Sequence, residues 1–296
     1  MKNRLHFYKY QGAGNDFVVA DNRQGHFSNL DFKQIALICD RRFGIGADGF
    51  MLLENHPEHA FCMRFFNSDG MPGSMCGNGG RCIVAFALKS GLIRENEPVV
   101  FWSSDGEHQA TVLSRHGDQC MVRLKMRDVD FYACDTDMRT FLIDTGSPHY
   151  VSFRDNCQNT DVTGEGKRIR FSSDFPEGTN VDFVEKDGEG LIVRTYERGV
   201  EDETFSCGTG ATASAMAMAL KEHFPEGRHR IGVSTKGGQL QVDFLSGKRT
   251  GIDPVAPHAF ATLPEGFHAP RDHGFCQVYL EGLATFVFEA DLEIDL

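Results

Sequence analysis

Residues 75–91 read MCGNGGRCIVAFALKSG, and residues 206–223 read SCGTGATASAMAMALKEH. Each stretch sets a cysteine against a Gly-x-Gly turn and follows it with residues that are apolar on every side rather than along one stripe. A helix that is apolar all round has to be buried, so each run predicts a helix enclosed by other elements. The sequence around them is strand-like: residues 97–126 read as three β-strands joined by turns. These segments predict an α+β fold in which a mixed β-sheet wraps around one central buried helix, and does so twice.

The two stretches lie in matching surroundings. Phe66 precedes Cys76 by 10 residues and Tyr196 precedes Cys207 by 11; Gly106 and Gly237 each follow their cysteine by 30. Further upstream, KYQGAGNDFVV and IDTGSPHYVSF are both strands broken by glycine, with Asn15 61 residues before Cys76 and Ser147 60 before Cys207. Four landmarks in one order point to an internal duplication. The expected organisation is two pseudo-symmetric domains, 1–130 and 131–277, with residues 278–296 returning to complete the first sheet. Residues 245–275 carry several Pro and Gly and no sustained period, which reads as a surface insertion in the second domain.

Composition narrows the function. A chain of 296 residues that is 41% hydrophobic can bury a full core. A net charge of −12 with no dense Lys/Arg cluster argues against nucleic acid as a partner. No apolar stretch approaches the roughly 20 residues needed to cross a bilayer, and the N-terminal residues lack a signal-peptide core, so no membrane association and a cytoplasmic location are expected. Nine cysteines in a long chain read as reduced thiols. Zinc is not expected: five residues separate Cys76 from Cys82, and no second Cys/His pair of suitable spacing accompanies them.

If each helix starts after its Gly-x-Gly turn, Cys76 and Cys207 stand at helix N-termini, where unsatisfied N–H groups and the dipole stabilise an anion. A lowered thiol pKa is expected there. The same N–H groups can hold a carboxylate, with the glycines allowing its close approach. Two such thiols suit inversion of a stereocentre alpha to a carboxylate, which needs proton removal on one face and delivery on the other. A Cys/His hydrolase would leave the second CGxG without a use.

At these residues the chain resembles the diaminopimelate epimerase family. KYQGAGNDFVVAD, CDRRFGIGADG, FFNSDG, MCGNGGRC, DTGSPHYV, GTNVDFVE, YERG and SCGTGA occur in the family's order over nearly the whole length. The resemblance implies epimerisation of LL-diaminopimelate to the meso form, a lysine and cell-wall precursor, without pyridoxal phosphate or any other cofactor or metal. It implies an active site in the cleft between two domains, and a homodimer. Cys76 and Cys207 match the two catalytic bases. Gly77, Asn78, Gly208 and Thr209 match the helix-start residues that hold the reacting carboxylate and ammonium. Asn15, Asn67, Ser147, Asn180, Glu197 and Arg198 match substrate-binding positions, and His149 with Glu197 would tune the thiols. Two positions depart from the commoner pattern: Gly49 stands where many members have glutamine, and Ser147 where many have asparagine. The alternatives are a racemase of a smaller amino acid, such as proline or histidine, on the same fold, or a non-catalytic amino-acid-binding protein.

Overall fold

The computed structural model describes residues 2–73, 75–248, 256–270 and 273–295. The chain divides into two compact units, Met1–Leu124 with Gly282–Leu296, and Lys125–Glu281.

In the first unit the elements run β1 (Lys2–Gly12), β2 (Asn15–Asp21), α1 (Phe32–Cys39), β3 (Gly49–Glu54), β4 (Cys62–Asn67), α2 (Gly77–Lys89), β5 (Pro98–Ser103), β6 (Gly106–His116) and β7 (Gln119–Lys125). Pairing is antiparallel for β1–β2, parallel for β2–β3, antiparallel for β3–β4, parallel for β4–β5, and antiparallel for β5–β6 and β6–β7. The C-terminal part of the last strand bonds both β1, with Phe7 opposite Ala290, and β7, with Leu283 opposite Met121. The ring of pairings therefore closes, leaving no sheet edge open among the described residues of this unit.

Helix α2 lies inside that ring. Its residues from Asn78 to Ala87 are all buried, as the apolar run requires. The glycines of its first turn let the strands come close: a Cβ at Gly79 would meet Met51, Met63 and Phe17. The opposite face of the same strands carries a second cluster, in which Phe7, Val18, Phe50 and Leu52 pack with Ile35 and Ile38 of α1. With helices on both faces, β3 is buried from Gly49 to Leu53, which explains why GFMLL has no alternation. Burial of each such large apolar side chain contributes roughly 1.5–3 kcal/mol.

In the second unit the order is β8 (Tyr132–Asp135), β9 (Thr140–Asp144), β10 (Pro148–Phe153), α3 (Val162–Arg170), β11 (Asn180–Asp187), β12 (Gly190–Glu197), β13 (Asp202–Thr204), α4 (Gly208–Lys221), β14 (Gly227–Thr235), β15 (Gly238–Lys248), a 3₁₀ turn (His258–Phe260), β16 (Phe267–His268) and β17 (His273–Asp295), which continues into the first unit. From β9 the pairings alternate as they do from β1: antiparallel β9–β10, parallel β10–β11, antiparallel β11–β12, parallel β12–β14, antiparallel β14–β15. Helix α4 is buried from Gly210 to Leu220. Its Ala, Ser and Gly residues allow close contact with the surrounding strands.

Two expectations need correction. Only α2 and α4 stood out in the sequence, yet α1 and α3 form as well. Both are short, and α1 is marked by an Asp31/Gln34 capping box rather than by a long apolar period. The segment 245–275 is not merely a surface insertion. Within its described part, Phe260 is buried among Phe131, Ala133, Leu142 and Phe175, with Leu263 and Phe267 against them, and β16 pairs with β8. Isolated aromatic anchors between prolines hold this stretch down without any sequence period. Residues 249–255 and 271–272 lie outside the described residues.

Candidate active site

Cys76 occupies the N-cap of α2 in extended conformation, φ −101° and ψ 132°. Its carbonyl accepts the first intrahelical bond, from Gly80 N at 2.7 Å, and its side chain is half-buried. Asn15 begins β2 after a turn in which Ala13 and Gly14 have φ of 52° and 81°. That reversal brings its Nδ2 to 3.7 Å from Cys76 Sγ. Asn78 is buried at the second helical position, and its Oδ1 accepts from Arg81 Nη2 at 2.7 Å. Asn67 ends β4 directly opposite Gly49. A Cβ at Gly49 would stand 2.7 Å from the Phe65 ring, so Phe65 fills the space a glutamine there would use.

The second unit repeats the arrangement with different surroundings. Cys207 is the N-cap of α4, φ −111° and ψ 115°, and its carbonyl accepts from Ala211 N at 2.9 Å. Its Sγ lies 3.3 Å from Thr209 Oγ1, and the Thr209 carbonyl accepts from Thr145 Oγ1 at 3.0 Å. Asn180 ties three segments together: its Nδ2 donates to Ser147 Oγ at 2.8 Å and to the Pro148 carbonyl at 3.0 Å, while its Oδ1 accepts from Arg198 N at 2.9 Å. Ser147 thus serves as an acceptor beside Asn180. The Arg198 guanidinium reaches the Glu177 carbonyl at 3.3 Å, which occupies one of its five donors.

Strand alternation places His149, Asp182 and Thr195 together. His149 is in register with Asn180 on β11, and Asp182 is in register with Thr195 on β12. His149 and Asp182 are both 0% exposed. His149 Nδ1 lies 2.6 Å from Asp182 Oδ2, and Thr195 Oγ1 donates to Asp182 Oδ1 at 2.6 Å. A neutral His149 must donate from Nδ1 to that carboxylate, which leaves Nε2 as an acceptor, buried and without a partner among the described residues. The first turn of α4 presses on the same carboxylate: a Cβ at Gly210 would stand 2.3 Å from Asp182 Oδ1, so only glycine fits.

The expectation that both thiols are activated fails at Cys207. Burial pushes its thiol well above the ordinary cysteine value, and the Glu197 and Asp182 carboxylates push it further, against the hydrogen bond to Thr209. Cys207 is 8% exposed, and at that depth desolvation outweighs the helix N-terminus. The shift favours the thiol over the thiolate at Cys207.

Sequence reasoning missed Arg81, Asp182, Thr195 and Gly210. A signal was present for the first two, since each is a charged residue inside an otherwise apolar run, RCIVAFAL and NVDFV.

A family model described as diaminopimelate epimerase matches residues 7–129 and 141–252. Over 290 residues the chain is 41% identical to the diaminopimelate epimerase of Flavobacterium psychrophilum, covering 97% of this chain and 100% of that one. To the diaminopimelate epimerase of Chlorobaculum tepidum it is 38% identical over 288 residues, with 96% and 99% covered. The fold is similar to that of a Bacillus anthracis phenazine biosynthesis protein of the PhzF family, with a TM-score of 0.71 at 12% identity, covering 99% of this chain and 100% of that one. It is also similar to a probable proline racemase from Agrobacterium radiobacter, with a TM-score of 0.63 at 16% identity and 98% and 93% covered. From the family match and the near full-length relatives, the chain belongs to the diaminopimelate epimerase family.

Proposed function

We propose that the protein interconverts LL- and meso-diaminopimelate by a two-base mechanism that uses Cys76 and Cys207 and no cofactor. The observation that carries this reading is a cysteine at the N-cap of a helix buried over most of its length in each unit. A thiolate on one sulfur takes the α-proton, breaking the C–H bond and leaving the electron pair on the α-carbon and carboxylate. A thiol on the other sulfur delivers its proton to the opposite face, forming the new C–H bond. The two sulfurs end in exchanged protonation states. The helix N–H groups stabilise the charge that develops on the carboxylate. The repeated order of strand pairings is read as an internal duplication, with the two half-sites acting on one substrate across a cleft. The working form is read as a cytoplasmic homodimer.

Selectivity follows from the second amino-acid head of diaminopimelate. Glu197 can take its ammonium and Arg198 its carboxylate, the latter in bidentate fashion, with Asn15, Asn67 and Asn180 adding neutral hydrogen bonds. Asn180 fixes the Arg198 backbone, which sets where the guanidinium starts. Arg198→Met should lower kcat/KM for LL-diaminopimelate by at least about tenfold, because loss of a charge-assisted hydrogen bond costs about 1.5–3 kcal/mol. Coupled turnover assays with LL-diaminopimelate, proline, histidine and alanine test the assignment. Comparable racemisation of any of the last three, or an Arg198→Met variant with unchanged kcat/KM, would refute it.

A further inference from the structure

Helix α2 buries an arginine completely. Arg81 is 0% exposed. Its side chain folds back on the first turn of its own helix, with Nη1 3.3 Å from the Gly77 carbonyl and Nη2 2.7 Å from Asn78 Oδ1. Gly12 at the end of β1 packs closely on this turn, since a Cβ there would stand 3.2 Å from the Asn78 carbonyl and 3.3 Å from Cys82 Sγ. Both acceptors are neutral, Nε has no partner, and among the described residues no carboxylate pairs with the guanidinium. Arginine is almost never fully buried unless it is paired, because an isolated charge in the interior is costly.

Among the described residues two thiols act on this cation by charge: Cys82, next to it on the helix, and Cys76, whose neighbour Gly77 offers the carbonyl that Nη1 reaches. Burial pushes Cys82 up to about 12, so it stays neutral near pH 7. The other ionisable groups that act on Cys82 are Tyr10 on β1, raised by burial, and Asp16 on β2, which is already bonded to Lys9 and Arg41 at 2.6 and 2.7 Å. Cys76 is left as the group whose ionisation would pair Arg81.

We propose that Arg81 is the buried counter-charge of Cys76, a positioning residue that holds this cysteine as the thiolate of the catalytic pair. The inference rests on the reading of Cys76 as a base. It gives the two half-sites opposite preparation: a guanidinium folded onto the helix turn that follows Cys76, and the carboxylates of Glu197 and Asp182 acting on Cys207.

The test is iodoacetamide labelling of Cys76 as a function of pH, read by peptide mass spectrometry on the full-length protein, because only the thiolate reacts. In Arg81→Met the labelling midpoint should rise by about 1–3 pH units, the range an opposite charge at short distance supplies. Turnover should lose about tenfold or more in kcat with little change in KM, following the thiolate fraction. Circular dichroism should show Arg81→Met folded, because the sulfur it leaves behind can take up a proton and so strands no unpaired charge. Arg81→Lys keeps the charge and loses the fork, so its midpoint should stay near that of the wild type. An unchanged midpoint in Arg81→Met would overturn the proposal and leave Arg81 as a prop for Asn78. Should Arg81→Met fail to fold, a raised midpoint in Arg81→Lys would overturn it equally. Labelling reads the ionisation of Cys76 whether or not diaminopimelate is the substrate, so this outcome and the assignment of activity fail separately.

Discussion

Cys76→Ala and Cys207→Ala should each lower epimerisation of LL-diaminopimelate by about 10²–10⁴-fold, the usual contribution of a positioned acid or base. Neither substitution should unfold the protein, because each removes only a sulfur from a helix N-cap, and alanine at such a position costs about 0.5–2 kcal/mol. Replacing both should cost little more than replacing one, since the proposed mechanism uses the two thiols as a unit. Progress curves with purified variants, beside circular dichroism to report the fold, check this. A single variant that kept more than about a tenth of wild-type turnover would remove that thiol from the reaction.

Asp182 is where the largest stability effect is expected. Asp182→Ala strands the Thr195 hydroxyl and the His149 Nδ1–H in a site from which water is excluded. Each orphaned donor costs about 1–3 kcal/mol, so the two together cost roughly 2–6 kcal/mol. Urea denaturation should show the loss as a lower midpoint. Asp182→Asn has nearly the same shape and still fits against Gly210. It should stay folded, but its amide can donate to Nδ1, which moves the His149 proton to Nε2. Long-range ¹⁵N correlation spectra of the imidazole should show that tautomer change, and turnover should drop by about tenfold or more. An Asp182→Asn enzyme with the wild-type tautomer and wild-type kcat would exclude a role for the dyad beyond folding.

The parts of the fold that were legible in the sequence are those decided by burial alone. GGRCIVAFALK and GATASAMAMALK cannot expose any face, so they read as enclosed helices, and the structure buries both. The hairpins of residues 97–126 were legible from period-two patterning, and form as β5, β6 and β7. Placement of Cys76 and Cys207 at helix N-caps followed from the glycine turn before each run. Elements held by a few long-range contacts were not legible. Helix α3 rests on Val162 and on Gly166, where a Cβ would stand 2.4 Å from Tyr196 Cβ, and the Phe260 segment rests on scattered anchors, Phe260, Leu263 and Phe267. Neither leaves a period to read. The raised Cys207 thiol was hidden for a different reason. A helix N-terminus is visible in sequence, but the depth of burial and the approach of Glu197 and Asp182 depend on strands that are distant along the chain.

The two-thiol mechanism is tested most directly by running LL-diaminopimelate in D₂O and following both stereoisomers by chiral separation and mass spectrometry during the first turnover of the pool. A thiol carries one proton, which exchanges with solvent before it is delivered, so each meso molecule formed should carry one deuterium at the inverted carbon while the remaining LL substrate stays unlabelled. Deuterium entering unreacted LL-diaminopimelate ahead of epimerisation would instead mean that one group removes and returns the proton on the same face, and would contradict the assignment of Cys76 and Cys207 as opposed bases.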